Sequence, residues 1–163
     1  MLAVEAKGIS KSFPGCLALN NINLELERGK VHCIVGENGA GKSTLIKILT
    51  GVYQPNQGSI SILGEDALKQ RKIFRKIGYV PQEIDLFPSL TVAENLFLPF
   101  NSSIYKNRFV SRKVLEKQAL PILDKYHIKA GPSDVVSEIS VSEQQLLQIA
   151  HAIADNNSEI FLL

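Results

Sequence analysis

One stretch constrains this chain more than any other: residues 36–44, Gly-Glu-Asn-Gly-Ala-Gly-Lys-Ser-Thr. They satisfy the pattern G-x-x-x-x-G-K-[ST] in full. The apolar run Val31-His32-Cys33-Ile34-Val35 precedes them and reads as a buried strand. Leu45, Ile46, Ile48 and Leu49 follow with helical spacing until Gly51, which is expected to stop the helix. Glycines at such a junction let successive backbone N–H groups turn inward onto phosphate oxygens. The helix start adds unpaired N–H groups and a partial positive charge. Lys42 supplies a point charge for β- and γ-phosphates, and the Ser43 hydroxyl is a ligand for Mg²⁺. A glycine-rich turn without a ligand is the rival reading; the complete pattern at a strand-to-helix junction argues against it.

The chain has 163 residues, 45% hydrophobic and 21% charged, which is the composition of a soluble globular domain with a real core. Its net charge of +2 gives no ground for a nucleic-acid partner. No apolar run is long enough for a membrane span, and the first residues do not read as a signal peptide. Cys16 and Cys33 form no metal-type pair. Cys33 is expected in the core, and a reducing cytosol is the expected compartment.

Around the glycine loop, Leu2 to Ile9 reads as a first strand, and Ile22 to Leu26 alternates as a half-buried antiparallel strand. Arg28-Gly29 is a turn into the strand that feeds the loop. Phe13, beside Pro14-Gly15, is expected in a loop, where it either packs locally or stacks on a base. Gln54 to Gly58 is a turn and Ser59 to Leu63 a short strand. Residues Ala67 to Lys76 carry Lys69, Arg71, Lys72, Arg75 and Lys76 and read as a surface helix with a solvated charged face. Ile77 to Val80 is expected to be a buried strand. Gln82 lies just past its carboxyl end, where it either contacts Mg²⁺ or water or caps loop backbone. Thr91-Val92-Ala93-Glu94 is a capping box that starts a helix toward Leu98. Asn101 to Arg108 reads as a loop. Val110 to Tyr126 is helical, kinked or split at Pro121, and residues 130–133 form a loop. Ser142-Glu143-Gln144-Gln145 reads as a second capping box, with Leu146, Leu147, Ile149, Ala150 and Ile153 as the apolar face behind it. Asp155 to Ser158 should end that helix, and Ile160 to Leu163 should begin a buried strand. His32 and His127 have no evident partners.

Several of these stretches together resemble the nucleotide-binding subunits of ATP-binding-cassette (ABC) transporters. The glycine loop is one. Ile77-Gly78-Tyr79-Val80-Pro81-Gln82-Glu83 is similar to the Q-loop of that family, Lys11-Ser12-Phe13 to its adenine-stacking loop, and Ile139-Ser140-Val141-Ser142-Glu143-Gln144-Gln145 to its signature, Leu-Ser-Gly-Gly-Gln. Ser-Phe-Pro-Gly-x-x-Ala-Leu, Thr-Val-Ala-Glu-Asn and the Ser-Val-Ser signature resemble carbohydrate importers of the ribose and galactose kind, whose subunits carry two cassettes in tandem; this chain resembles part of the first.

The resemblance implies an α/β P-loop NTPase fold: an antiparallel β subdomain, a RecA-like core that is incomplete here, and an α-helical signature subdomain. Residues 1–98 would hold the β subdomain and core through the Q-loop, residues 99–155 the signature subdomain, and residues 156–163 the start of the Walker B strand. It implies ATP and Mg²⁺ as ligands. Phe13, Gly36, Glu37, Asn38, Gly39, Ala40, Gly41, Lys42, Ser43 and Thr44 would bind the nucleotide, Ser43 and Gln82 the metal. Lys42 and Gln82 would act in cis and Ser140 on the γ-phosphate of a facing cassette. The implied parent is an ATPase, a translocase that powers sugar import. It would sit peripherally on the cytoplasmic face of the membrane, with a second cassette and a membrane permease as partners and, indirectly, a periplasmic or extracellular sugar-binding protein. A non-hydrolysing nucleotide-binding module, or a soluble cassette protein acting on ribosome or DNA, is the alternative. Ribose, galactose, xylose and autoinducer-2 are all compatible cargoes.

Two departures from the family pattern stand out. Val141, Ser142 and Glu143 replace Gly-Gly-Gln of the signature, and Glu143 is expected to cap its helix. The family's Asp-Glu pair follows the strand matching residues 160–163, so this stretch alone is expected to hydrolyse ATP negligibly and to associate through an uncovered sheet edge. Asp155 and Glu159 precede that strand and cannot stand in for the pair. His151 lies on the signature helix and is not the family's switch histidine.

Overall fold

The computed structural model describes residues 1–98, 111–154 and 158–162. They form two compact units, Met1–Ile77 with Leu162, and Gly78–Phe161. The expected loop at 101–108 and the helix end at 155–157 lie outside the described residues.

The first unit is built on an antiparallel hairpin. Strand β1 (Leu2–Phe13) turns at Pro14-Gly15 into β2 (Cys16–Glu27), pairing Val4 with Leu26, Ala6 with Leu24 and Ile9 with Ile22. Strand β3 (Gln57–Ile62) pairs antiparallel with the other edge of β1, and β4 (Glu65–Asp66) completes the order β2-β1-β3-β4. The period-two alternation places Val4, Ala6, Ile60 and Ile62 in the core and turns Lys7 to water. Helix α1 (Lys42–Leu49) buries Leu45, Ile48 and Leu49. It stops at Gly51, as expected. There φ is +77°, and a Cβ would meet the Phe74 ring at 2.7 Å, so only glycine fits.

The second unit carries most of the two-stranded sheet of β5 (Ile77–Tyr79) and β6 (Ile160–Leu162), and a helical cluster. Helices α2 (Val92–Phe97), α3 (Arg112–Lys125) and α4 (Val141–Ala154) enclose a core that includes Val92, Leu96, Leu115, Leu123, Leu147 and Ala150. The capping box at α2 forms as read. The Thr91 hydroxyl accepts from the Glu94 N–H, and Glu94 accepts from the Thr91 N–H at 2.8 Å.

Several sequence expectations are corrected. Residues 31–35 form no strand, and Val31 and Val35 are 101% and 87% exposed. A buried strand needs ladder partners for its N–H and C=O groups and cover for its faces. No described strand pairs with this run, so Val31, Cys33 and Val35 stay in water and Ile34 is only half-buried. His32 finds a partner after all: its Nε2 accepts from the Glu27 N–H at 2.9 Å. Phe13 is the last residue of β1 rather than a loop residue, because the hairpin pairs it with Cys16. The basic stretch is a 3₁₀ turn over Arg71–Lys76 and no longer helix. Its start is delayed because Asp66 Oδ1 accepts from the Leu68 and Lys69 N–H groups and holds them in a turn.

Helix α3 runs unbroken through Pro121. The carbonyl of Lys117, four residues earlier, loses its partner there, but both residues are exposed and water can satisfy it. Strand β6 is not buried; Phe161 is 41% exposed. Finally, α4 begins two residues earlier than its Ser142 reading, with Ser140 in front of its first residue.

Candidate functional site

The glycine loop lies wholly in the first unit. Gly39 and Gly41 hold φ of +85° and +89°, the left-handed turns that wind the loop into α1. Gly41 is the N-cap residue of α1 and offers no side-chain cap, and no acidic residue stands in the first turn. The helix therefore presents its first N–H groups and its positive dipole end without an internal carboxylate to neutralise them. Gly41 is also pressed against β2: a Cβ there would meet the Ala18 carbonyl at 2.5 Å and Leu19 Cδ2 at 2.7 Å. The hairpin thus fixes where the loop enters the helix.

Lys42 folds back over the loop. Its Nζ donates to the Gly36 carbonyl at 2.6 Å and to the Glu37 carbonyl at 2.7 Å. An ammonium has three donors, so one N–H remains for an incoming oxygen ligand. The Ala40 N–H closes a turn onto the Glu37 carbonyl at 3.2 Å. Ser43 is exposed at the second helical position and Thr44 is half-buried behind it. Gly36 through Thr44 thus form one continuous loop and helix start, tied back on itself by Lys42.

Phe13 packs edge-on against Tyr53, with ring centroids 5.4 Å apart at 68°. Lys11 Nζ lies 5.2 Å from the Phe13 centroid and donates to the Gln54 carbonyl at 2.8 Å. Lys47 Nζ lies 5.5 Å from the Tyr53 centroid. A partly exposed aromatic face held by a second ring and flanked by ammonium groups suits a flat, anionic ligand. Sequence reading missed Tyr53, and no local pattern signals a partner forty residues away.

The remaining site residues are in the second unit. Gln82 is exposed, on the loop after β5. Ser140 caps α4: its hydroxyl accepts from the Glu143 N–H at 3.3 Å, and it donates to Glu143 Oε2 at 3.0 Å. Ser142 Oγ lies 3.0 Å from Ser140 Oγ. The capping role expected of Glu143 is realised, on Ser140 rather than within the Ser142 box. Gln144 Nε2 is used elsewhere, donating to the Val136 and Ile139 carbonyls. The Glu94 carboxylate that caps α2 is held below its ordinary range, chiefly by the Thr91 N–H and hydroxyl.

The same unit holds two buried carboxamides that sequence reading passed over. Asn95 Oδ1 accepts from the Phe87 N–H at 2.7 Å, and its Nδ2 donates to the Phe87 and Thr91 carbonyls. Gln148, 6% exposed, bonds to the backbone of residues 81, 83 and 85. A glutamine beside Leu147 and Ala150 on a buried helix face was the available signal, since a buried amide must find partners.

Among the described residues no group of three or more His, Cys, Asp and Glu side chains gathers to hold a metal, and no helix is long and apolar enough to cross a membrane.

Comparison with known proteins places this geometry in a family. The family model described as ABC transporter matches residues 19–163. A putative ribose/galactose/methyl galactoside import ATP-binding protein of Burkholderia lata is 37% identical over 98% of this chain and 31% of its own length. The ribose import ATP-binding protein RbsA of Shouchella clausii is 39% identical over 99% of this chain and 33% of its own length. The chain therefore spans about a third of the length of these curated relatives. Among solved structures, the dimeric post-hydrolysis state of the ATP-binding cassette MJ0796, bound to ADP and Pi, superposes with a TM-score of 0.76 at 32% identity, covering 94% of this chain and 70% of that one. The glycine cradle, the antiparallel hairpin that braces it and the helical unit led by Ser140 are thus parts of one known architecture, and the chain belongs to the ABC transporter family.

Proposed function

We propose that this chain is the nucleotide-binding part of the first cassette of an ATP-driven sugar importer. The observation that carries the reading is the loop at the start of α1, with Gly41 as an uncapped N-cap and the Lys42 ammonium folded onto the loop carbonyls. Such a loop is built to take up phosphate oxygens. The relatives named for ribose and galactose import support the cargo class.

Phosphoryl transfer depends mostly on positioning and charge stabilisation. Lys42 turns its ammonium from the Gly36 and Glu37 carbonyls toward the β- and γ-phosphates. The N–H groups from Gly39 to Thr44 orient them, and Phe13, backed by Tyr53, stacks on the adenine. Mg²⁺ fits Ser43: its exposed hydroxyl is a neutral oxygen ligand, and this ion takes few protein ligands, keeping waters and phosphates for the rest; the family resemblance adds the Gln82 side-chain oxygen. When bound, it neutralises charge on the β- and γ-phosphates. Gln82 senses the γ-phosphate. Ser140 serves the γ-phosphate held by a facing cassette. Its hydroxyl is first donated to Glu143, so engaging a phosphate requires that bond to open. The parent protein works on the cytoplasmic face of the membrane beside a permease and a second cassette, and a sugar-binding protein delivers cargo to the permease.

Titration of the complete gene product with a fluorescent ATP analogue in Mg²⁺ tests this reading. Saturable binding that Lys42→Ala weakens at least about tenfold is the expected result. Equal affinity in wild type and variant would refute it.

A further inference from the structure

The Gln148 side chain is buried on α4, and its carboxamide is spent on one segment more than sixty residues away. Its Oε1 accepts from the Asp85 N–H at 3.0 Å. Its Nε2 donates to the Pro81 carbonyl at 2.8 Å and to the Glu83 carbonyl at 3.3 Å. Both amide hydrogens and one oxygen lone pair are therefore committed to backbone on either side of Gln82. A groove of about 200 Å³ opens beside the clamp, between Pro81, Gln82 and Ile84 on one wall and Gln145, Gln148 and Ile149 on the other. Downstream, Asn95 holds Phe87 in the same manner. Residues 81 to 87 have no regular secondary structure, so these two carboxamides supply hydrogen bonds that a strand or helix would otherwise provide.

We propose that Gln148 is a positioning residue for Gln82: it locks the backbone flanking Gln82 to the helix that Ser140 caps, so that the Q-loop and the signature serine shift as one body. Gln148 lies eight residues beyond Ser140 on a continuous helix, about 12 Å along its axis. Within one rigid helix, a displacement of residues 81–85 is delivered to Ser140. Gln82 itself is exposed, whereas Gln148 is buried and acts through it. The inference rests on the proposed role of Gln82 as γ-phosphate sensor.

The test is a double-mutant cycle in the complete gene product, read as the ratio of ATP to ADP affinity in Mg²⁺. Gln148→Met keeps the length of the side chain and removes all three bonds. Gln148→Glu keeps the acceptor for Asp85 and loses both donors. The expected result is a fall in the ATP-over-ADP ratio of about tenfold for Gln148→Met and a smaller one for Gln148→Glu, with ADP affinity unchanged. Combining either with Gln82→Ala should give no loss beyond Gln82→Ala alone, because both act on one contact. A purely structural role would lower ATP and ADP affinity together, and additive losses would also overturn the proposal. If Gln148→Met does not fold, Gln148→Glu alone decides between additive and non-additive outcomes. Gln82→Ala without effect on the ratio would instead overturn the sensor role of Gln82, and the clamp's function with it.

Discussion

Replacing Gly41 with alanine tests the way the hairpin braces the glycine loop. Two terms oppose the added methyl. The backbone at Gly41 has φ of +89°, and an L-residue in the left-handed region loses about 1–2 kcal/mol. The Cβ would also stand 2.5 Å from the Ala18 carbonyl oxygen and 2.7 Å from Leu19 Cδ2. The first of these is backbone near the start of β2, so either the strand or the loop must move, an overpacking loss of about 1–3 kcal/mol. Reduced freedom of the unfolded chain returns about 0.4–1 kcal/mol. The net expectation is a loss of about 1–5 kcal/mol, a large share of the roughly 5–15 kcal/mol of a native domain. Gly39→Ala is the matched control. Its φ is +85°, but nothing lies within 4 Å of the added Cβ, so it suffers the backbone term alone. Urea denaturation of both variants at constant m-value gives the two losses, and their difference isolates the contact with β2 at about 1–3 kcal/mol. Equal losses at the two positions would refute the close approach of Gly41 to Ala18.

Glu94 predicts an acid-sensitive step. Its folded pKa is lowered from 4.5, first by the Thr91 N–H, then by the Thr91 hydroxyl, with Arg112 adding a smaller share. The stabilisation is therefore complete above the ordinary value and is lost as pH falls through the lowered one. Urea midpoints of wild type and Glu94→Gln should differ by a constant amount at neutral pH and converge in acid; parallel curves throughout would contradict this. The Phe13–Tyr53 pair predicts a coupling of about 0.5–1.5 kcal/mol in a cycle of Phe13→Ala and Tyr53→Ala measured by urea denaturation. A coupling near zero would mean the rings do not brace one another.

Much of the site was legible because it is governed by short-range geometry. The glycine loop needs left-handed residues at fixed places and a lysine one residue past the last of them, and Gly39, Gly41 and Lys42 occupy those places. The capping box at Thr91 and Glu94 closes over four residues, and Gly51 ends α1 where its φ and the Phe74 ring allow nothing larger. The start of α4 was misplaced by two residues. Ser142…Gln145 has the spacing of a box, but Gln144 is spent on the Val136 and Ile139 carbonyls just ahead of the helix, and Ser140 accepts from the Glu143 N–H and caps it.

What the sequence by itself determined is the left-handed glycine loop at the start of α1, the capping box that opens α2, the glycine that ends α1, and the family. What only the tertiary structure decided is everything that needs a distant partner. The run Val31–Val35 has the hydrophobicity of a buried strand, but burial is a property of the neighbours that cover a segment. Without a described strand beside it the run stays exposed. Phe13 acquires its brace from Tyr53, and residues 81–85 their anchor from Gln148, across forty and more than sixty residues. Periodicity and spacing encode what a residue can do with its near neighbours along the chain. Hydrogen bonds and ring contacts between distant residues depend on how the chain closes in space, and the residue types alone do not say which ones will meet.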